Sequence, residues 1–399
     1  MKILFLTNKV PYPPKDGGSI ATFGMMKAFA DAGHQVSVLA MNTKKHHVTP
    51  YEVPEEIHTL ITFYLIEVPA YIKMAELIKN LLFSKLPYNA ERFIDQNYQN
   101  KLQLLLSNNE FNIIQLEGLY LCPYLPIIRK YSKAKVAYRS HNIEHEIWER
   151  TILQSNGIRK LYLRILTFRL KKFEESAINQ YDLLVPITNR DEEKLRQMGN
   201  IKPSLSIPAG FDTEEVRTVF TNFKMNLFFI GALDWSPNQE GLIWFIEKCW
   251  PVILAKRPNT ILKIAGRNAP DWMVEKFLVK NIQYLGEIDD AQKFIGQNGI
   301  MIAPVLSGSG MRVKIIEGML NQKSIVTTSI GCEGINVINE EHLFIANNET
   351  DFSNYILKLL GNRSKVEETG IKAYKFVKEE YDNRFLINKL VEFYNQHLS

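Results

Sequence analysis

The sequence predicts an α/β protein made of two doubly wound domains with parallel sheets, and three observations predict it. Short apolar, strand-like runs alternate with helix-length segments along most of the chain. A βαβ unit with a glycine-rich first turn occurs at the start and again past the middle. The length, 399 residues, exceeds what a single small core organises, so two domains are expected.

Taken in order, the first strand is Lys2–Thr7, and a Pro/Gly loop ending Asp16-Gly17-Gly18-Ser19 follows it. Ile20, Phe23, Met26 and Ala30 then recur at helical spacing up to Gly33, before a second strand at Gln35–Met41. Further strand-like runs in this half are Phe111–Leu116, Lys135–Tyr138 and Asp182–Ile187. The second half repeats the pattern. Leu227–Ile230 runs into Gly231, a helix is expected over 238–255 with Asn238 as its N-cap, and Thr260–Ala265 ends at Gly266. Asn281–Leu285, Gly299–Val305 and Ser324–Ser329 complete the set.

The boundary is expected in the polar stretch near 211–225. That gives an N-terminal domain over 1–210 and a C-terminal domain over 211–383. The last helix, from about Arg384 to His397, fits either half by its own pattern, and residues 384–399 are assigned to the first domain. Two such domains facing each other would enclose a cleft at the carboxyl ends of both sheets, where open α/β sheets bind ligands. The glycine loops at 16–18, 231 and 307–310 all follow strands, so all three are expected to face it.

Composition excludes several classes. Apolar and charged fractions are ordinary for a folded domain. A formal charge of +5 does not by itself call for nucleic acid, and none is expected as a partner. Cys122, Cys249 and Cys332 are odd in number, far apart and without metal-ligand spacing, so they read as buried thiols in a reducing compartment. No window approaches the roughly 20 apolar residues that span a bilayer. The expected location is cytoplasmic, with the inner face of the membrane as a candidate site of work.

Residues 304–334 carry most of the chemical information. After the apolar run that ends at Val305 comes Ser307-Gly308-Ser309-Gly310, then a helix expected to open at Met311 and to carry Arg312, Lys314 and Glu317. Glycines allow close backbone approach, and free N–H groups at a helix start attract anions. Arginine and lysine suit a phosphate, while a carboxylate one turn on suits a pair of hydroxyls such as a ribose diol. The pattern is that of a site for a nucleotide bearing a phosphate and a sugar.

From Lys2-Ile-Leu-Phe-Leu to the terminal helices, the chain resembles the family-4 retaining glycosyltransferases of the GT-B fold, with two Rossmann-like domains facing across a cleft. The resemblance rests on ordered pieces. They are the Gly17-Gly18 loop, Ser140-His141-Asn142-Ile143-Glu144, Pro208-Ala209-Gly210-Phe211-Asp212, Gly231 through Asn238, Gly286-Glu287-Ile288, and the 304–334 segment with Glu317. There are departures. The family often carries two glutamates separated by seven residues, and Ser309 stands in place of the first. Ala232 follows Gly231 where an arginine is common, and Asn238 stands near the usual lysine. The chain looks like the branch whose loop reads Gly-Ser-Gly-Met-Arg-x-Lys-x-x-Glu, with Arg312 or Lys314 supplying the diphosphate charge.

The resemblance implies a catalytic set of His141, Lys314 and Glu317. It implies a donor-binding set of Gly17, Gly18, Gly231, Asn238, Arg267, Glu287, Ile288, Ser309, Gly310, Met311, Arg312 and Val313. Glu317 would accept from the donor ribose; the alternative is a helix glutamate pairing with Lys314 at i, i+3. On a regular helix Arg312 and Lys314 point about 200° apart, so one is expected to reach phosphate, Lys314 by preference, while the other holds the loop. His141 would lie beside the donor sugar; the alternative is a structural histidine. Glu144 either bonds His141 or caps the next segment, and Trp148 reads as core. Gly17 and Gly18 would approach the donor phosphate or acceptor, or form a plain turn. Gly286-Glu287-Ile288 would meet the base, with Arg267 beside it or on the surface. Asp289-Asp290 reads as a helix cap before Ala291 rather than a metal site. The family works without an Asp-x-Asp metal, so neither metal nor cofactor is expected and the nucleotide-sugar is a substrate.

The implied reaction is transfer of a sugar to a glycan or lipid-linked acceptor in cell-surface polysaccharide or glycoconjugate synthesis. Departure of the nucleoside diphosphate builds negative charge as the sugar becomes oxocarbenium-like. Two rivals keep the fold: a nucleotide-sugar 2-epimerase and a non-catalytic nucleotide-binding partner subunit. A dinucleotide oxidoreductase is disfavoured, because neither βα turn shows Gly-x-Gly-x-x-Gly with a distal acidic residue. Around 155–175 cationic and apolar side chains interleave at helical spacing. That suits either contact with an anionic membrane or an ordinary helix with a basic outer face. The apolar segment Phe63–Phe83 is a second candidate for acceptor or membrane contact.

Overall fold

The computed structural model describes residues 1–399 except 15, 154, 214–222, 309 and 399. The chain divides into two compact units, Met1–Phe211 with Asn383–Ser399, and Asp212–Asp382.

The first unit holds a six-stranded sheet of β1 (Lys2–Thr7), β2 (Gln35–Asn42), β3 (Ile61–Glu67), β4 (Ile113–Glu117), β5 (Lys135–Ser140) and β6 (Leu183–Pro186). All pairs are parallel, in the order β3-β2-β1-β4-β5-β6. The central strand explains why its sequence is a continuous apolar run. Ile3 and Phe5 enter one core cluster, Leu4 and Leu6 the other, so both faces are covered. Helix α1 (Gly17–Asp31) follows β1 and is capped by Asp16, whose carboxylate accepts from the Ser19 N–H at 2.9 Å. Later helices include α2 (Met74–Phe83), α3 (Glu144–Leu153) and α4 (Gly157–Ala177).

One apolar segment divides. Residues 63–83, read as continuous from the sequence, contain most of β3 and all of α2, separated at Val68-Pro69. As an edge strand β3 is only half-buried, which blurred its alternation.

The second unit repeats the plan with β7 (Lys224–Ile230), β8 (Leu262–Ala265), β9 (Ile282–Tyr284), β10 (Asn298–Ala303), β11 (Ser324–Thr327) and β12 (Phe344–Ile345). Its order is β12-β11-β10-β7-β8-β9, again all parallel. Counted from its own first strand, this is the topology of the first unit. Strand order therefore reverses between β1 and β4 in one unit and between β7 and β10 in the other. Crevices at such reversals are where doubly wound sheets bind ligands.

Three local expectations need correction. The helix expected over 238–255 starts at Ser236 as α5 (Ser236–Trp244), then passes through a π-helical turn at Phe245–Cys249 into Trp250–Lys256. Asn238 is therefore in its first turn. Trp235 holds the cap position without a side-chain cap, and Pro237 lies at the helix start, where a missing N–H is tolerated. The strand expected to reach Val305 ends at Ala303. The helix expected at Met311 begins at Val313 as α6 (Val313–Leu320), with Arg312 extended at its N-cap.

The last helix, α7 (Asn383–Leu398), belongs to the first unit. Leu386, Leu390 and Tyr394 join its core, and the Tyr394 ring stacks on Phe29 at 6.2 Å. The three cysteines are free and buried. Among the described residues no helix is long and apolar enough to cross a membrane.

Candidate functional site

In the second unit the loops after β7 and β10 meet at the switch point. Gly241 on α5 permits the contact: a Cβ there would sit 1.4 Å from the Pro304 carbonyl oxygen, so only glycine lets the helix reach this loop. Ser307 Oγ adds a bond to Glu240 Oε2 at 2.7 Å. Thr328 Oγ1, from beyond β11, donates to the Val305 carbonyl.

Arg312 holds the loop on itself. Its Nη1 donates to the Gly310 carbonyl at 2.7 Å, its Nη2 reaches Ser307 O at 3.4 Å, and the guanidinium lies over Trp235 at 5.4 Å. Only 5% of it is exposed. Gly308 and Gly310 have φ of 96° and 80°, which favours glycine at both. Ser309 lies outside the described residues. Met311 and Val313 flank the arginine, both half-buried.

Lys314 points elsewhere. Its Nζ donates to Asn238 Oδ1 at 2.7 Å and lies 4.6 Å from the Phe229 ring centroid. The Asn238 amide nitrogen donates in turn to Ala232 O at 2.8 Å, and a Cβ on Gly231 would press on that amide. Burial, reinforced by the Arg312 charge, lowers the Lys314 ammonium to about 7. One turn further along α6, the Glu317 carboxyl is pushed above its ordinary range by burial. Among the described residues it has no hydrogen-bond or ion-pair partner, so the expected alternative of a Lys314–Glu317 pair is not what forms. The lysine goes to Asn238.

The loops after β8 and β9 are linked to the same end of the sheet. Gly231 N donates to Ala265 O at 3.2 Å, Leu233 N to Arg267 O at 2.9 Å, and Gly266 N to Gly286 O at 2.8 Å. Arg267 is half-buried beside the 231–235 loop, while Glu287 is exposed and Ile288 half-buried past Gly286. Asp290 caps the helix from Ala291, accepting from Lys293 N at 2.8 Å.

The first unit brings together a different group at its own switch point. His141 follows β5, and its Nε2 lies 2.8 Å from Glu117 Oε2 at the end of β4. Glu144, expected as a possible partner of His141, instead opens α3 and accepts from the Tyr120 hydroxyl at 2.7 Å. Burial beside that contact and the Glu174 charge raises Glu144 to about 7. Glu117 also accepts from Thr22 Oγ1 of α1 at 2.8 Å and from Gln115 Nε2 at 2.5 Å, and the fully buried Arg139 stands 3.8 Å away. Burial alone would raise Glu117; the His141 bond and charge, with Arg139 and Gln115, outweigh it and hold the carboxyl low. An ionised Glu117 accepts, so His141 Nε2 carries the proton and Nδ1 is the remaining ring nitrogen. Gly17 and Gly18 open the helix that carries Thr22; Gly18 faces the Lys9 and Asp16 side chains, which pair at 2.5 Å. Trp148 packs against the core.

Sequence reading missed Glu117 and Arg139. The signal was present: Gln115, Glu117 and Arg139 are polar residues on strands otherwise buried on both faces. It also missed that Asn238 serves as the acceptor for Lys314.

Residues 224–362 match the family model described as "Glycosyl transferases group 1". The chain is 25% identical over 400 residues, 98% of each chain, to a Klebsiella pneumoniae protein described as an uncharacterized 44.6 kDa protein in the cps region. Among solved structures it is similar to TarM of S. aureus (12% identity, TM-score 0.73, 99% of each chain). It is also similar to sucrose-phosphate synthase of Thermosynechococcus elongatus (15%, 0.70, 99% of each). A third is HepE of Anabaena in complex with UDP (14%, 0.67, 99% of this chain and 100% of that one). These likenesses give the GT-B fold over the whole chain. Residues 224–362 thus match a group 1 glycosyl transferase domain, and they lie in a chain of the GT-B fold.

Proposed function

We propose that this protein is a retaining glycosyltransferase that draws a sugar from a nucleoside diphosphate donor bound at the switch point of the second unit. The acceptor is a glycan or lipid-linked glycan of cell-surface polysaccharide synthesis, and the enzyme works on the cytoplasmic side. The observation that carries the reading is the pair on α6: a half-buried lysine set on Asn238, and one turn on a desolvated carboxyl group without a partner among the described residues. Burial disfavours the charged form of Lys314, and a diphosphate would favour it again. Glu317 matches a hydroxyl pair, which supplies the donors it lacks. HepE, whose structures hold UDP and UDP-glucose, supports a donor of this class, and the cps-region relative supports the polysaccharide setting.

Transfer leaves charge on the departing diphosphate. Lys314 and the N–H groups at the start of α6 are the groups to stabilise it. Replacement on the same sugar face, with the leaving phosphate taking the acceptor proton, follows the family resemblance. His141, held through Nε2, would meet a sugar hydroxyl through Nδ1. The scheme needs no metal or cofactor.

A panel of nucleotide-sugars read by thermal shift should identify one donor that stabilises the wild type. In Glu317→Ala that stabilisation should shrink and transfer should fall about 100-fold, the value of losing charge-assisted bonds to two hydroxyls. NMR of the product should show the anomeric configuration of the donor. Full transfer by Glu317→Ala would remove the site from this reading; an inverted product would remove the retaining mechanism.

A further inference from the structure

Helix α4 carries two apolar stripes where a packed helix needs one. Leu163, Leu166, Leu170 and Ala177 face inward and are buried. Ile158, Leu161, Ile165 and Phe168 recur at steps of three and four residues on the roughly opposite side. They are exposed, Ile158 by 89%, Leu161 by 61% and Phe168 by 58%. From 157 to 173 there are six basic residues and no acidic one. Arg164, Lys171 and Lys172 are exposed among them, and Lys172 Nζ lies 4.5 Å from the Phe168 ring centroid.

Helix α2 extends the same surface. Arg169 of α4 donates to the Asn80 and Leu81 carbonyls at 3.1 and 2.8 Å, and Leu77 packs with Leu163 and Leu166. With that side docked, α2 exposes Met74, Ile78 and Leu82, spaced by four residues, and Phe83 beyond them. Lys73, Lys79 and Lys85 lie exposed around them.

We propose that the outer faces of α2 and α4 form one docking surface for an anionic lipid bilayer. The apolar side chains enter the headgroup boundary, and the lysines and arginines meet lipid phosphates. Charge complementarity selects this occupant. A second copy of the chain would set two basic rims against each other, whereas an anionic leaflet neutralises them. Exposed apolar residues spread over two linked helices also exceed the scattered single side chains an ordinary surface shows. The proposal goes beyond the donor-site reading and does not depend on it, because vesicle binding is measured without donor or acceptor.

The test is co-sedimentation of the full chain with vesicles of phosphatidylglycerol and phosphatidylcholine, and with phosphatidylcholine alone. The wild type should bind the anionic vesicles, release with added salt, and bind the neutral ones weakly. Leu161→Glu with Phe168→Glu should abolish binding, and Lys171→Glu with Lys172→Glu should weaken it about tenfold or more. Both variants change exposed side chains, so circular dichroism and donor-induced thermal shift should match the wild type. Failure to bind anionic vesicles, equal binding to neutral ones, or full binding by both variants overturns the proposal. So does a wild-type dimer that these substitutions dissolve, since the face would then join two copies.

Discussion

The two units share one strand topology, yet the crevices at their two switch points are built on opposite principles. In the first, Glu117 is a buried carboxylate whose acceptor capacity is filled by Thr22, Gln115 and His141, with the Arg139 charge beside it. In the second, Glu317 is a desolvated carboxylate without a partner among the described residues, and Lys314 is a desolvated ammonium held by one neutral amide. A filled network positions a side chain; here it fixes the ring and tautomer of His141. An unfilled one stores the capacity to bind, since the ligand completes what the protein leaves open. On the proposed reading, the same fold serves orientation in one half and capture in the other.

Removing the charge from each glutamate separates these roles most sharply. Glu117→Gln keeps the shape but turns one acceptor oxygen into an NH2 that faces existing donors, and it leaves Arg139 buried without its countercharge. The fold should lose about 3–5 kcal/mol, read by chemical denaturation. Glu317→Gln should cost nothing and can add stability at neutral pH. Burial raises the Glu317 pKa above its unfolded value, so the ionised form is a net cost once pH exceeds that range, and the amide removes it. Equal destabilisation by the two substitutions would end the comparison.

Much of the fold was legible because buried parallel strands leave uninterrupted apolar runs. β1 and β5 begin at the residues expected from pattern alone. The edges were not legible. β3 is half-exposed and leads into an apolar helix, and β12 is two residues long. At the site, residue types were readable but their geometry was not. Regular-helix spacing set Arg312 and Lys314 about 200° apart. The arginine in fact sits in extended backbone before α6, and it reaches the loop carbonyls from there. His141 was visible through its motif. Glu117 sits 24 residues earlier, on a neighbouring strand, and only the parallel register of β4 and β5 brings the two together.

The glycines offer a smaller contrast. At Gly241 an added Cβ meets backbone, the Pro304 carbonyl, which cannot turn aside; at Gly18 it meets the tips of Lys9 and Asp16. Gly241→Ala should therefore lower stability by about 1–3 kcal/mol and loosen the 304–312 loop, with weaker nucleotide binding as a second readout. Gly18→Ala, within the first turn of α1, should be neutral or stabilising by up to about 1 kcal/mol. Thermal unfolding of the two variants side by side checks this, and a tolerant Gly241 would show that the second switch point is not wedged in place.

The smallest expected effect is the most direct test of the unfilled crevice. In the free protein Lys314 titrates at about 7, lowered by burial and then by Arg312. A bound diphosphate favours its charged form and moves it back toward the ordinary lysine range, so binding takes up a proton at any pH between the two values. Affinity for a nucleoside diphosphate should be level just below pH 7 and fall as pH rises, by about tenfold between pH 7 and 9, the worth of one charge-assisted contact. The ligand itself is fully ionised over that range, its last phosphate group titrating near 6. Lys314→Arg, which keeps its proton at all these values, should bind with a flat profile, and Lys314→Met should be flat and weaker throughout. A slope that persists in Lys314→Met would assign the titration to another group and leave Asn238 and Lys314 as packing rather than as the phosphate contact.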